Sequence, residues 1–328
     1  MKILFGIQGT GNGHISRARE IVPLLQQYGE VDLVVSGTEA EVSLSQPLAH
    51  KFHGFSFVFG KNGGVDNWAT YKLMNLRQLY KDMHSLPLAQ YDLVINDFEP
   101  VTAWACRLQK VPSVSLSHQC SFVSPKTPRP KSWDWAEWLF KYYSPTTYHI
   151  GFHFERYDDF IHTPVIRSDI RKMETSNLGH YTVYLPAYSD KTLLKHLSGT
   201  DAEWHVFSKR TKTAYREGNV HIFPVNNDGF NKSLASCTGL LSGGGFEGPA
   251  EALFLGKKVM MIPMKGQYEQ QCNALSASRL GVSVVSTITD SFRSEVNNWL
   301  ADDRRINVDF PDETAKIVDD MVKKYARW

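Results

Sequence analysis

Short apolar segments alternate with helical segments along this 328-residue chain, and this alternation limits the fold more than any other feature. In the first half the predicted strands are almost fully apolar, and helical periodicity fills the intervals between them. The predicted strands cover residues 3–7, 31–36, 93–96 and 113–116, and the predicted helices cover residues 15–21, 73–84 and 101–108. Buried strands separated by helices are typical of a parallel sheet with helices on both faces.

A second series of the same kind begins at residue 181. Its predicted strands cover residues 181–186, 204–208, 220–223, 239–241 and 259–263, and its predicted helices cover residues 191–197 and 230–235 and begin again at 270. Doubly wound α/β units bind ligands where the carboxyl ends of their strands meet. We expect a first domain over 1–163 and a second over 164–310, with the boundary after an irregular stretch at 151–162.

The composition agrees with a soluble protein of two domains. Hydrophobic residues make up 42% and charged residues 21% of the chain, which is enough apolar material for two cores. The net charge of +2 and the pI of about 8.2 are too mild to indicate a nucleic-acid partner. The four cysteines have no paired spacing, and no run approaches the roughly 18 apolar residues of a spanning helix. We expect a cytoplasmic protein without a signal peptide that can still touch a membrane surface.

Three consecutive glycines, at 243, 244 and 245, stand between an apolar strand and a helical run. Such a turn lets backbone N–H groups approach a diphosphate at the start of the helix. Glu251 follows about two turns into that helix, where its carboxylate can accept hydrogen bonds from both hydroxyls of a ribose. After the next strand, the side chains of Glu269 and Gln270 can bind sugar hydroxyls. Together these elements predict a nucleotide-sugar site.

The first strand leads into another glycine-rich loop, with glycines at 9, 11 and 13, and then into a helix. By itself this loop could be a dinucleotide-binding fingerprint. Two features weaken that interpretation, because His14 follows the third glycine at once and Asp32 lies inside the next strand rather than after it.

In order and spacing, these motifs resemble GT-B glycosyltransferases, which include plant and antibiotic glycosyltransferases and the peptidoglycan N-acetylglucosamine transferase. The shared elements are the glycine turn, a Glu one helix onward, and an acidic residue with Gln before Asn273 and Ala274. The resemblance covers the whole chain and implies an α/β fold of GT-B type, with two doubly wound Rossmann-like domains facing a central cleft. It also implies that a final helix at 311–328 packs back on the first domain.

The same resemblance implies an activity. The enzyme would transfer a sugar, with inversion, from a nucleoside-diphosphate donor to a hydroxyl of a glycan or lipid-linked acceptor, with UDP as the expected nucleotide. Nucleotide-sugar 2-epimerases share the fold but need further acid and base groups around the sugar. A catalytically silent nucleotide-sugar binding protein is the third alternative, and the presence of His14 beside the donor motif argues against it.

The resemblance places the catalytic pair in the first domain. His14 would take the proton of the acceptor hydroxyl, and Asp97, at the end of another strand, would support the histidine. The alternatives are that His14 caps its helix and that Asp97 is the N-cap of the helix near Pro100. The residues expected on the acceptor side are Gly11, Asn12, Gly13, Glu99 and His118, of which His118 could equally be a structural residue.

The resemblance places the donor site in the second domain. The residues expected there are Ser208, Lys209, Val225, Gly243, Gly244, Gly245, Phe246, Glu251, Gln267, Glu269 and Gln270. Val225 lies in a loop expected to bind the nucleobase through backbone atoms. The interval between Glu251 and Glu269 is longer than in the plant pattern, so Gln267 is a second candidate for the sugar contact. Gly243 stands where plant members have a histidine, so backbone or another side chain must hold the phosphate. We expect no metal and no cofactor, because no Asp-x-Asp motif occurs where a metal-dependent transferase would carry one.

The segment 126–143 begins with Lys126, Arg129 and Lys131 and continues with many aromatic residues. The aromatic residues are Trp133, Trp135, Trp138, Phe140, Tyr142 and Tyr143. Basic residues followed by aromatic ones fit an interfacial anchor or a lid for a lipid-linked acceptor. The alternative is that the aromatic side chains are buried against the first domain.

Overall fold

A computed structural model describes residues 1–9, 12–37, 47–52, 76–131 and 137–327 of the chain. Within these ranges the strands form two sheets of seven strands each. The strands of the first sheet are β1 (Lys2–Gln8), β2 (Glu30–Ser36), β3 (His50–Phe52), β4 (Leu93–Asp97), β5 (Val114–Ser117), β6 (Tyr148–Phe152) and β7 (Ile161–His162). All of its neighbouring strands are parallel, in the order β3-β2-β1-β4-β5-β6-β7. The strand order therefore reverses between β1 and β4.

The second sheet repeats this plan. Its strands are β8 (His180–Tyr184), β9 (Glu203–Ser208), β10 (Tyr215–Glu217), β11 (Val220–Pro224), β12 (Gly239–Gly243), β13 (Lys258–Ile262) and β14 (Ser283–Val284). Their order is β10-β11-β9-β8-β12-β13-β14, and only the edge strand β10 is antiparallel to its neighbour. Here the order reverses between β8 and β12.

Helices connect the strands, as parallel neighbours require. The described α-helices are α1 (Asn12–Leu25), α2 (Leu76–Ser85), α3 (Pro100–Gln109), α4 (Glu137–Tyr142), α5 (Ser168–Arg171), α6 (Asp190–Leu197), α7 (Asn227–Ser236), α8 (Glu247–Phe254), α9 (Tyr268–Arg279), α10 (Phe292–Ala301) and α11 (Thr314–Tyr325). The two doubly wound α/β halves confirm the predicted fold class, which is GT-B.

The central strands are buried on both faces, which is why they read as nearly continuous apolar runs. In β1 the side chains of Ile3, Leu4, Phe5 and Ile7 are fully buried. One apolar cluster continues from β1 through Phe246 at the start of α8 and on to α11, so the two halves share a core.

The C-terminal helix α11 returns to the first half of the chain. The hydroxyl of Tyr28, which follows α1, donates to Asp319 at 2.7 Å. After the helix, the backbone N–H of Arg327 donates to the carbonyl of Asp92 at 2.9 Å. The ring of Tyr325 stacks on Tyr148 with 4.4 Å between centroids. These contacts fix the end of the described chain against the start of β4 and β6.

Most predicted elements lie within a few residues of the observed ones, but the stretch at 151–162 does not. It was expected to be irregular, whereas β6 ends in it and β7 lies wholly within it. Two residues are too few for any hydrophobic period, so a strand such as β7 is defined only by its pairing with β6. The predicted helix at 73–84 is described from residue 76 onward, and its first three residues lie outside the described ranges.

None of the helices in the described ranges is long and apolar enough to cross a bilayer. The four cysteines are buried and unpaired.

Candidate active site

The candidate site lies where the strand order of the first sheet reverses. In β1 and β4, Ile7 is opposite Asp97, and the carboxyl ends of such strands form the ligand-binding edge of an open α/β sheet. Asp97 is the last residue of β4. The helix α1 begins at Asn12, earlier than its periodicity predicts, so His14 belongs to the first turn of the helix and not to a loop. Gly11, which was expected on the acceptor side, lies outside the described residues.

His14 and Asp97 are hydrogen-bonded. Nδ1 of His14 lies 2.8 Å from Oδ1 of Asp97, and both side chains are buried. An ionised carboxylate only accepts hydrogen bonds, so Nδ1 carries the proton and Nε2 keeps its lone pair. This tautomer can accept a proton from a substrate hydroxyl through Nε2.

Arg17 is a third member of this pair, and the sequence reasoning missed it. Its Nη2 donates to Oδ1 of Asp97 at 2.7 Å, and its Nε donates to Oδ2 at 3.1 Å. Oδ1 of Asp97 therefore binds both the imidazole of His14 and the guanidinium of Arg17. The same Nη2 lies 3.1 Å from Nδ1 of His14. Arg17 is three residues after His14 in the sequence. Residues at that interval lie on one face of a helix, which is the signal that could have revealed it.

Two opposed effects act on the Asp97 carboxyl. Burial by itself would raise its pKa, but the charge of Arg17 and the hydrogen bonds that Arg17 and His14 donate outweigh burial. The pKa of Asp97 is therefore lowered below its ordinary value. Asp97 is ionised across the physiological range, as the support of a general base requires.

The second half of the chain reaches this cluster through Glu247, in the first turn of α8. Nη1 of Arg17 lies 2.5 Å from Oε1 of Glu247. Gly13 packs against the same carboxylate, and a Cβ at Gly13 would lie 2.6 Å from Oε2 of Glu247. A side chain at position 13 would therefore displace the Glu247 carboxylate from this position. Neither Glu247 nor its ion pair was predicted.

Gln119 connects the histidine to a residue expected to bind the donor sugar. Its Nε2 lies 3.4 Å from Nε2 of His14 and donates to Oε1 of Glu269 at 3.0 Å. Its Oε1 is buried and has no hydrogen-bond partner among the described residues. The structure thus connects Glu269 through Gln119 to His14 and Asp97.

His118 has the surroundings of a structural residue, which was one of the two interpretations of the sequence. It is 1% exposed. Its Nδ1 lies 2.8 Å from the carbonyl of Phe152, and its Nε2 lies 2.8 Å from Oδ1 of Asn273. The ring stacks on Phe246 with 3.8 Å between centroids. Burial lowers the pKa of His118 and favours the neutral ring. Both His118 and Phe246, a predicted donor contact, hold the two halves together.

The glycine turn differs from its predicted role at one position. The backbone N–H of Gly244 donates to Oε1 of Gln270 at 3.1 Å, and the N–H of Met264 donates to the same oxygen at 2.9 Å. A Cβ at Gly244 would lie 2.5 Å from Cβ of Gln270. Gly244 and Gln270, predicted as separate ligand contacts, therefore bind each other. A Cβ at Gly245 would meet no described atom within 4 Å, so that part of the turn borders open space.

Gln267, the rival sugar contact, is the N-cap of α9. Its Oε1 accepts from the backbone N–H of Gln270 at 3.3 Å. Capping satisfies one of the N–H groups that a helix start leaves without a partner. The side chain is only half-buried, so capping does not prevent its amide group from meeting a ligand.

Glu251, the predicted ribose ligand, is paired with Arg167 from the connection between the sheets. Nε of Arg167 donates to Oε1 at 2.6 Å, and Nη2 donates to Oε2 at 2.8 Å. Glu251 is 3% exposed, and burial raises its pKa against the opposing effect of Arg167. A carboxylate has about four lone-pair sites, so this fork leaves acceptor capacity on Glu251. Arg167 itself was not predicted.

The three donor residues predicted near β9 and β11 lie together. The backbone N–H of Val225 donates to the carbonyl of Ser208 at 3.0 Å. The hydroxyl of Ser208 donates to Oδ1 of Asp190 at 2.6 Å, so the donor hydrogen of this side chain is already used within the protein. Lys209 is exposed beside them.

Glu99 is a helix cap and not an acceptor contact, which corrects the prediction. It is fully buried, and its carboxylate accepts from the N–H groups of Val101 and Thr102, both at 2.7 Å. The hydroxyls of Ser36 and Thr102 donate to the same carboxylate. Glu99 thus takes the capping role that was the alternative reading for Asp97. Asn12 is half-buried at the start of α1.

Some aromatic side chains of the segment 126–143 are exposed, as in an interfacial anchor, and others are buried against the protein. Trp138 and Tyr142 on α4 are 60% and 46% exposed, whereas Phe140 and Tyr143 are buried. Two of the three cations have internal partners, since Lys126 pairs with Asp158 at 2.8 Å and Arg129 donates to backbone carbonyls. Lys131 is exposed, and Trp133 and Trp135 lie outside the described residues.

The fold and this cleft define a glycosyltransferase of GT-B type. The sequence pattern described as Glycosyl transferase family 1 matches residues 1–302, and the chain belongs to that family. No match was found among curated protein sequences.

Solved structures share the fold over nearly the whole chain. MurG of Acinetobacter baumannii is 15% identical with a TM-score of 0.58, covering 98% of this chain and 99% of MurG. The glycosyltransferase SsfS6 of Streptomyces sp. SF2575, complexed with thymidine diphosphate, is 12% identical with a TM-score of 0.60, covering 99% and 96%. UGT89C1 of Arabidopsis thaliana, complexed with UDP, is 12% identical with a TM-score of 0.58, covering 99% and 96%.

The buried ion pair predicts a particular dependence of stability on pH. Asp97→Asn should lower the free energy of unfolding at pH 7 by roughly 3–5 kcal/mol, because it deprives the buried Arg17 cation of its carboxylate. The folded pKa of Asp97 lies below the unfolded value of about 3.9, so its contribution is complete above that pH and is lost as the pH falls through the folded pKa. The difference from wild type should therefore hold from about pH 7 to pH 5 and shrink only below about pH 4.

Urea unfolding of both proteins across this range checks the prediction. Asp309→Asn is the control, because Asp309 is exposed and its substitution should change stability by less than about 0.5 kcal/mol. A wild-type advantage that already disappears between pH 7 and pH 5 would contradict the assigned direction.

Proposed function

We propose that this glycosyltransferase transfers a sugar from a nucleoside-diphosphate donor to a hydroxyl of a glycan or lipid-linked acceptor, with inversion at the anomeric carbon. UDP is the expected nucleotide. The observation that carries the proposal is the buried hydrogen bond between His14 and Asp97, which lies next to the donor-side carboxylate of Glu269. A base and a sugar-binding carboxylate are thus held on opposite sides of one cleft.

The reaction is a single displacement. The acceptor oxygen forms a bond to the anomeric carbon while Nε2 of His14 takes the hydroxyl proton. The bond from the anomeric carbon to the diphosphate oxygen breaks, and its electron pair leaves with the diphosphate. Asp97 keeps the imidazole in the required tautomer and stabilises the imidazolium that forms. Attack opposite to the leaving group inverts the configuration.

The donor lies against the second half. The glycine turn at Gly243 and Gly245, together with the start of α8, receives the diphosphate through backbone N–H groups and the positive end of the helix dipole. Glu269 binds sugar hydroxyls, and Glu251 uses its remaining acceptor capacity on the ribose. Val225 contacts the nucleobase of the donor through its backbone atoms.

We propose that the reaction needs no divalent metal. The proposal rests on the glycine turn and the start of α8, whose backbone N–H groups and helix dipole can neutralise the diphosphate charge that a divalent ion would otherwise hold. The test is a panel of nucleotide sugars screened by thermal stabilisation, followed by turnover assays with and without EDTA. We expect stabilisation by one donor and turnover that chelation leaves largely intact. Loss of turnover with EDTA and recovery with magnesium or manganese would contradict metal independence.

The assignment of the base predicts a loss in kcat. General-base catalysis contributes about 10²–10⁴-fold, so His14→Ala should lower kcat by that factor and leave donor affinity nearly unchanged. Asp97→Asn should cost less, and the double variant should be little worse than His14→Ala if the two act as a unit.

Steady-state kinetics with the preferred donor and calorimetric donor binding measure these effects. His84→Ala, which changes an exposed histidine on α2, is the matched control and should keep wild-type turnover. A folded His14→Ala enzyme with near wild-type kcat would remove His14 from the mechanism.

A lipid-linked acceptor predicts membrane contact through the exposed face of α4. Trp138→Ser combined with Tyr142→Ser should reduce binding to anionic phospholipid vesicles and activity on lipid-linked acceptors, because aromatic side chains anchor proteins at the bilayer interface. Donor binding should not change. Tyr215→Ser is the control, since Tyr215 is 38% exposed on β10 in the other half. Equal vesicle binding by wild type, the double variant and Tyr215→Ser would contradict membrane contact through α4 and favour a soluble glycan as the acceptor.

A further inference from the structure

The cleft has an unusual charge distribution for a site that binds a diphosphate. Glu247 stands in the first turn of α8, directly after the glycine turn, and Glu269 lies across from His14. Two carboxylates beside a diphosphate would repel it. Among the described side chains, the cation that lies between them is Arg17, which interacts electrostatically with both.

Arg17 divides its hydrogen bonds between a fixed partner and an exchangeable one. Nε and Nη2 bind Asp97, which is fully buried and belongs to the same half. Nη1 binds Glu247, whose side chain is 27% exposed and belongs to the other half. Glu247 can therefore turn toward solvent and release Nη1 while the bonds to Asp97 remain intact.

Glu247 lies where an anionic ligand is expected. The start of a helix attracts negative charge, and here the preceding turn borders open space at Gly245. A second observation comes from Gln119, whose Nε2 lies 3.4 Å from Nε2 of His14 and whose Oε1 is buried without a partner among the described residues. A sugar hydroxyl of a bound nucleotide sugar is a donor that satisfies an acceptor of this kind, so this oxygen marks the sugar side of the site and not the diphosphate side.

We propose that Arg17 is a ligand of the donor diphosphate and that Glu247 competes with the diphosphate for it. This inference rests on the proposed function. On donor binding, Glu247 leaves Nη1 of Arg17 and a phosphate oxygen takes its place. Arg17 then stabilises the negative charge that accumulates on the diphosphate as the glycosidic bond breaks. Arg17, from the first half of the chain, thus takes the phosphate-binding role of the histidine that plant members have at the position of Gly243.

Calorimetric titration with UDP and with inorganic diphosphate tests the exchange. Glu247→Gln and Glu247→Ala should each tighten the binding of both ligands by about tenfold, equivalent to about 1.4 kcal/mol, because the competing carboxylate is gone. Glu313→Gln is the matched control, since Glu313 is also an acidic partner of an arginine, Arg156, and is 29% exposed on its side chain. It should change neither affinity by more than about twofold.

The gain must depend on Arg17. Combining Arg17→Gln with Glu247→Gln should cancel the tightening, and circular dichroism should show that this double variant is folded. If the double variant does not fold, Glu247→Asp replaces it, and this variant should show no gain because it keeps the charge. Unchanged affinity in both single variants of Glu247 would overturn the proposal, and so would a gain that persists without Arg17.

The results also separate this inference from the proposed function. Tighter binding of diphosphate by Glu247→Gln in a protein that transfers no sugar would support the role of Arg17 and sink the transferase mechanism. If wild type transfers sugar and Glu247→Gln does not change diphosphate affinity, the transferase mechanism is supported and the role of Arg17 is contradicted. If no protein of the series binds UDP or diphosphate at millimolar concentrations, both are wrong.

Discussion

The buried cation of Arg17 is the interaction on which the geometry of the cleft depends. Its guanidinium group binds Asp97 at the end of β4 and Glu247 at the start of α8, so it links the two sheets through their helices. Because Arg17 is almost fully buried, removing the Asp97 carboxylate would leave its charge without adequate compensation. The same ion pairs orient the histidine and set the distance between the halves. The arrangement of His14 and Asp97 and the contact between the two halves therefore depend on one set of interactions.

The two halves also touch through neutral groups around this ion pair. His118 stacks on Phe246 and hydrogen-bonds to Asn273, and Tyr268 of α9 donates to Glu137 of α4 at 2.5 Å. Phe246 directly follows the glycine turn, and Nδ2 of Asn273 donates to the carbonyl of Gly244 at 3.0 Å, so these contacts lie beside the turn. Arg17 and Asp97 are buried beside these contacts, and the low dielectric of such surroundings strengthens the electrostatic interaction between them.

Several residues of the donor motif bind one another in this structure. Gly244 and Gln270 are hydrogen-bonded, Gln267 caps the helix that carries Gln270, and Glu251 is held by Arg167. Such contacts fix the shape of the turn and of the helix starts before any ligand arrives, which is the preorganisation that binding sites require. The spacing of the motif reflects this internal support as much as contact with a nucleotide sugar.

The sequence by itself determined the two α/β series, because buried parallel strands must be apolar on both faces and so differ visibly from the helices between them. It also placed His14 after the first strand and Asp97 at the end of another strand, and it located the glycine turn. It could not determine which side chains meet across the cleft. Arg17 and Glu247 are 230 residues apart, and no local period relates them. Their pairing, the capping role of Glu99 and the packing of His118 were decided by the tertiary structure, because a polar group's role follows from its partners after burial.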